Sequence, residues 1–249
     1  MGIALRALAL IAHMGRGVLT LWLIWPWCNA TRRHALIRNW AAKLLRLLRL
    51  TVQVNGPWPV VDGPFLLTSN HISWVDIFII LSVHPVRFIS KSEVRQWPLL
   101  GWLAAKTGTL FIDRSSKRQT LEIGRAMSLV LSTGEDLGLF PESTTSTGED
   151  VLPFKTSLLQ APLDCNATLL PVALRYHHPL GETDCAYPFV GDMTFMDSLR
   201  RILRSPPCTA TLSPGLPCNI HALGTDRRQI AHNLHTLTRE LALRGIPST

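Results

Sequence analysis

The first 61 residues contain no aspartate or glutamate. Eight basic side chains lie there (Arg6, Arg16, Arg32, Arg33, Arg38, Lys43, Arg46 and Arg49). The remaining 188 residues carry 17 basic and 17 acidic groups, so the formal net charge of +8 belongs to the N-terminal quarter alone. No C-x-x-C pair occurs among the five cysteines, and Cys185 with His177 and His178 lacks metal-ligand spacing. That speaks against a zinc site or a disulfide framework and leaves reduced thiols in a cytoplasm-facing protein, with no metal expected. An uninterrupted apolar run of about 20 residues, which a transmembrane helix needs, is also missing. Arg6, His13 and Arg16 break the first stretch, and Pro26 and Asn29 fall within the uncharged residues that follow. The segment reads as too short and too broken to span a bilayer, and no A-x-A cleavage site marks a secretory signal. No serine or cysteine occupies a nucleophile elbow, and no internal repeat or long linker is present.

What is present suits one large α/β domain with an appended module. The chain has 249 residues, 47% of them hydrophobic, and a positive mean hydropathy of +0.18, enough to bury a sizeable core. Trp22, Trp25 and Trp27 cluster as indoles do at a headgroup boundary. Over residues 31–50, Leu36, Trp40, Leu44, Leu47 and Leu48 recur at helical spacing among six cations. Such a cationic amphipathic helix is expected to lie flat on an anionic leaflet. Nucleic-acid arms rarely carry this much Leu and Trp, so no nucleic-acid partner is expected. Residues 1–50 therefore read as basic membrane-associating helices, and residues 51–249 as an α/β domain.

Short apolar strands are expected at 51–54, 65–68, 86–90, 110–112, 138–140 and 168–174. Helices are expected at 76–83, 93–106, 118–132, 157–161 and 225–244. That alternation predicts an α/β layered domain with its chemistry at strand ends. Beyond residue 210 the strand signal fades.

One reaction centre emerges from the motifs. Asn70-His71-Ile72-Ser73-Trp74-Val75-Asp76 places a histidine and an aspartate five residues apart at a strand-to-helix junction. A neutral imidazole takes a proton from a hydroxyl near pH 7, and a carboxylate fixes its tautomer and stabilises the imidazolium. Ser73 suits an N-cap with Asp76 at N3, so a helix starting at Ser73 would fold His71 back beside Asp76 near a positive helix end. With no covalent nucleophile in sight, His71 would deprotonate a substrate hydroxyl that attacks a thioester directly, Asp76 holding the ring's other nitrogen. Gly108-Thr109-Leu110-Phe111-Ile112-Asp113-Arg114 and Phe140-Pro141-Glu142-Ser143-Thr144 add a cation and a carboxylate for a polar substrate.

In order and spacing these blocks resemble the glycerophosphate acyltransferase superfamily, in particular bacterial 1-acylglycerol-3-phosphate acyltransferases. The H-x-x-x-x-D block is followed by Lys91, Glu93 and Pro98, then Gly101; Gly108, Ile112, Asp113 and Arg114 match a second block. Phe140, Pro141, Glu142 and Thr144 match a third, and Leu170, Pro171 and Val172 a fourth. The resemblance implies a mixed central sheet flanked by helices and a membrane-associated O-acyltransferase using acyl-CoA or acyl carrier protein as co-substrate, without a further cofactor. It also implies that His71 and Asp76 are catalytic, and that Lys91, Arg114, Glu142, Ser143 and Thr144 bind substrate. Lys91 and Arg114 would grip an anionic headgroup, as a point charge and a guanidinium fork suit a phosphate monoester. Phosphatidic acid would be the product, made at the cytoplasmic side of the inner membrane by a peripheral or re-entrant protein. Family members usually carry glycine at the position of Ser143 and often arginine at that of Thr145. Ser143 thus requires its position to avoid conformations reserved for glycine, and Thr145 keeps acylation of lyso-ornithine lipid open as an alternative. Two other classes stand beside these: a catalytically silent lipid-binding protein, and a hydrolase using the same dyad on water.

Overall fold

The computed structural model describes residues 2–97, 99–112, 117–177 and 186–244; the side chains of residues 91, 112, 117–121, 123, 158, 161 and 244 lie outside the description. The chain begins with α1 (Ile3–Leu19), continued by a π turn (Thr20–Ile24) and a 3-10 turn (Trp25–Trp27), then α2 (Ala30–Leu47). Next come β1 (Leu50–Val54), β2 (Phe65–Ser69), α3 (Asp76–Val83), β3 (Arg87–Lys91), α4 (Leu100–Lys106), β4 (Leu110–Ile112) and α5 (Lys117–Ser132). The remainder is β5 (Leu137–Leu139), α6 (Gln160–Asp164), β6 (Thr168–His177), α7 (Phe195–Arg204), β7 (Cys208–Pro214), β8 (Cys218–Asn219) and α8 (Arg227–Arg244).

These strands form a mixed sheet in the order β1-β7-β6-β2-β5-β3-β4, with β8 against β6. Pairing is parallel except where β6 meets β7 and β8. β2 is paired on both sides and covered on both faces, so all five of its residues are buried and its sequence is apolar rather than alternating. Successive side chains of a strand point to opposite faces. Phe65 and Leu67 accordingly join a core with α2 and α3, whereas Leu66 joins a second core with Met127 of α5 and Ile230 and Leu234 of α8. The result is a three-layer α/β/α domain.

Several expectations change here. A single helix over 93–106 is replaced by a 3-10 turn (Ser92–Gln96) followed by α4. A Cβ on Gly101 would sit 2.3 Å from the carbonyl oxygen of Arg95, so the turn packs where only glycine fits. β7 pairs parallel with β1 and antiparallel with β6, in the region where the strand signal fades. Its stability comes from two neighbours distant in sequence, which local periodicity does not report.

The N-terminal helices also differ from expectation. Leu44 and Leu48, read as the lipid-facing stripe of a helix on a leaflet, are buried in the same core as Leu67, Ile80 and Leu174. α2 is thus a layer of the domain, with Arg32, Arg38, Lys43 and Arg46 on its exposed side. In α1 two of the three polar interruptions, Arg6 and His13, turn inward, while Arg16 stays exposed. Arg6 donates to the carbonyls of Leu47 (3.3 Å) and Leu203 (2.6 Å), near the ends of α2 and α7, where a cation offsets unpaired carbonyls. His13 bonds the carbonyl of Trp40 and stacks on its indole at 4.8 Å. Ile3, Leu5, Leu8, Ile11, Leu19, Trp22, Leu23 and Trp27 face outward instead. The continuous helical run Ile3–Trp27 is long and apolar enough to cross a membrane by length and composition. With most of its large apolar residues outside, Arg6 turned inside and Arg16 left exposed, it associates the protein with a membrane.

Candidate active site

β2 delivers the site. At its C-terminal end the Asn70 side chain locks onto the backbone of Leu174 in β6, donating to its carbonyl (2.9 Å) and accepting from its amide (2.7 Å). The chain then turns through His71 into a short loop that ends at Asp76. Asp76 is fully buried, and its Oδ2 accepts from the amides of Ile72 (2.6 Å) and Ser73 (2.8 Å) and meets Nδ1 of His71 at 2.9 Å. This fixes the imidazole with Nδ1 toward the carboxylate and leaves Nε2 for substrate. The local geometry departs from a Ser73-capped helix. α3 begins at Asp76, and the Ser73 hydroxyl accepts from the Val75 amide at 3.3 Å. The acid still reaches back to the preceding amides, so one half of a capping box forms and brings His71 and Asp76 together.

The imidazole plane is set by stacking. His71 lies on Phe140 at 4.0 Å with 10° between planes, and Phe140 lies on Phe88 at 5.3 Å. His71 opens onto a cavity of about 530 Å³ lined mainly by apolar side chains of the π turn after α1 and of α2, α3 and α4, among them Leu21, Ile37, Phe78 and Leu103. Ser143, Thr144 and Thr145 line the same cavity.

Glu142 behaves differently from a residue that points at substrate. It is 1% exposed, and its two oxygens accept from the amides of His71 (2.7 Å) and Leu152 (3.2 Å). Burial pushes its carboxyl up to about 7, against the opposing pull of those two hydrogen bonds, and the nearby Asp76 charge adds to the rise. Glu142 therefore braces the loop carrying His71 from behind.

Ser143 has φ of 65°, in the left-handed region that glycine favours. The expectation that serine keeps this position out of glycine's conformations is wrong. The turn after Pro141 holds Ser143 in that backbone in spite of its Cβ. Thr145 donates its hydroxyl to the carbonyl of Phe189, whose amide donates to Ile72 at 2.9 Å, so residues 186–191 are fastened over the site. Lys91 ends β3, and its side chain lies outside the described residues, as do Pro98, Asp113 and Arg114.

Tyr176 went unread in the sequence. Its hydroxyl donates to Oδ1 of Asp76 at 2.6 Å from β6, 100 residues away. No local pattern links the two.

A buried aspartate orienting a histidine, at the end of a central strand and beside an apolar cavity, defines an enzyme that activates a hydroxyl next to a long apolar substrate. Residues 51–175 match the family described as Acyltransferase, and the chain belongs to that family. It is 38% identical over 213 residues to a lyso-ornithine lipid O-acyltransferase of Pseudomonas aeruginosa, covering 86% of this chain and 80% of that protein. It is also 38% identical to a 1-acyl-sn-glycerol-3-phosphate acyltransferase of Neisseria meningitidis, covering 71% and 68%. Its fold is similar to that of the 1-acyl-sn-glycerophosphate (LPA) acyltransferase of Thermotoga maritima, with a TM-score of 0.69 over 99% of this chain and 96% of that one at 18% identity.

Proposed function

We propose that this protein moves a fatty acyl chain from the thioester of acyl-CoA or acyl carrier protein to the free hydroxyl of 1-acylglycerol-3-phosphate, giving phosphatidic acid. The observation that carries this reading is Nε2 of His71, oriented by a fully buried Asp76, at an apolar cavity of about 530 Å³. Nε2 takes the hydroxyl proton as the oxygen attacks the thioester carbonyl; the tetrahedral intermediate collapses, and the thiolate leaves with that proton. The positive end of α3 favours the negative charge that develops. The thioester supplies the activation, so no further cofactor takes part. The acyl chain occupies the cavity, and Lys91 and Arg114 grip the acceptor's phosphate as a point charge and a guanidinium fork. The outward apolar face of α1 and the cations of α2 hold the protein on the cytoplasmic side of the inner membrane.

Thr145 favours a second acceptor. Threonine carries no charge and its hydroxyl is committed to the Phe189 carbonyl, so the position offers a phosphate neither a cation nor a free donor, and the Pseudomonas relative is named for lyso-ornithine lipid.

An assay in lipid nanodiscs with both acceptors side by side tests the reading. Lysophosphatidic acid should be acylated, and His71→Ala should lower the rate by about 10²–10⁴-fold. Product from lyso-ornithine lipid alone would replace the acceptor and keep the mechanism. Full activity in His71→Ala would overturn the mechanism.

A further inference from the structure

Most hydrogen bonds that hold Asp76 are local. The Ile72 and Ser73 amides and the His71 ring all reach Oδ2 from within the loop that the aspartate itself closes. Such bonds shape the loop but leave the carboxylate group unanchored to the sheet beneath it. Oδ1 is held from outside. The Tyr176 hydroxyl, on the part of β6 that runs past the end of β2, donates to it at 2.6 Å.

We propose that Tyr176 is a positioning residue for acyl transfer. Its hydroxyl fixes the plane of the Asp76 carboxylate, so that Oδ2 stays on Nδ1 of His71 while the imidazolium forms and decays. The proposal rests on His71 as the general base. Two observations support it beyond the distance. Asp76 is fully buried, so water cannot replace a lost donor at Oδ1. The Tyr176 ring is itself immobilised: it stacks at 5.0 Å and 16° on the fully buried Tyr187. Tyr187 in turn donates to the Leu48 carbonyl, at the end of α2, at 2.9 Å. The phenol is therefore anchored to both β6 and α2 and does not move with the catalytic loop.

Tyr176→Phe keeps the ring stack and removes only the hydroxyl. In the full chain in nanodiscs, kcat should fall about tenfold, the cost of a hydrogen bond to a charged group, with KM for both substrates unchanged. In an Asp76→Asn background the same substitution should have no further effect, because the two act as one unit. Tyr187→Phe keeps the ring stack and loses the bond to Leu48, so it should lower the melting temperature. Unchanged kcat in a folded Tyr176→Phe, a rise confined to KM, or an equal loss in the Asp76→Asn background would each overturn the proposal.

A second readout does not depend on Tyr176→Phe folding. The chain has two tyrosines, Tyr176 and Tyr187, so 3-fluorotyrosine in a Tyr187→Phe chain labels Tyr176 alone. Its fluorine resonance should move on Asp76→Asn; a resonance indifferent to that change would count against the hydrogen bond. Activity retained by His71→Ala would remove the underlying general-base reading, a result separate from any of these.

Discussion

Glu142→Gln separates a carboxylate that braces the fold from one that meets substrate. In the folded protein burial pushes the Glu142 carboxyl from an ordinary 4.5 to about 7. Between those two values the folded state keeps a proton that the unfolded chain has released, so stability falls as pH rises across that window and levels off above it. The rise corresponds to about 3 kcal/mol. At 1% exposure there is little solvent to screen it. The glutamine variant keeps a carbonyl for the His71 amide but turns an N–H toward the Leu152 amide, losing that hydrogen bond at every pH. Wild type should therefore hold its greatest advantage at pH 4 to 5, and lose about 3 kcal/mol of it by pH 8. Urea titrations of both proteins in detergent micelles, followed by tryptophan fluorescence at several pH values, measure the difference directly. A gap that stays constant from pH 4.5 to 8 would refute the placement of Glu142 as a buried carboxyl behind His71.

Three further perturbations address other parts of the argument. Ser143→Gly should raise stability by about 0.5–1 kcal/mol by relieving the left-handed backbone at φ of 65°, and a lower unfolding midpoint would contradict it. Leu45→Ala, in a side chain 2% exposed on α2, should cost about 2–5 kcal/mol. A stability change near zero in the same urea titration would show that α2 is not part of the domain core. Ile11→Glu, on the outward face of α1, should leave the domain's fold unchanged and weaken liposome binding by about 100-fold, the effect of a charge placed in hydrocarbon. Undiminished co-sedimentation would mean that this face does not enter lipid.

The dyad was legible because it is local. His71 and Asp76 are five residues apart, and a carboxylate at a helix start binds back to the amides before it whatever the rest of the chain does. Strands β2 and β4 were legible for the same kind of reason, as short apolar runs between turn residues. Glu142 was readable as a site residue, but its direction was not. Motif spacing places a carboxylate near His71 without saying whether it faces the cavity or the amides of His71 and Leu152.

The N-terminal arm shows the same limit from the other side. Charge counting identifies a basic, apolar segment, yet which face is wet depends on partners. Arg6 and His13 interrupt the apolar run in one dimension; in three they meet the carbonyls of Leu47, Leu203 and Trp40 and leave an outer surface on which Arg16 is the remaining charge of α1. Sequence alone determined the chemistry of this protein, because a base, its orienting carboxylate and the helix start that joins them need only neighbouring residues. Tertiary structure decided how that chemistry is held. The Tyr176 hydroxyl at Asp76, the inward turn of Glu142 and the burial of Leu44, Leu45 and Leu48 join segments far apart in the chain, and only sheet register and core packing bring such segments together.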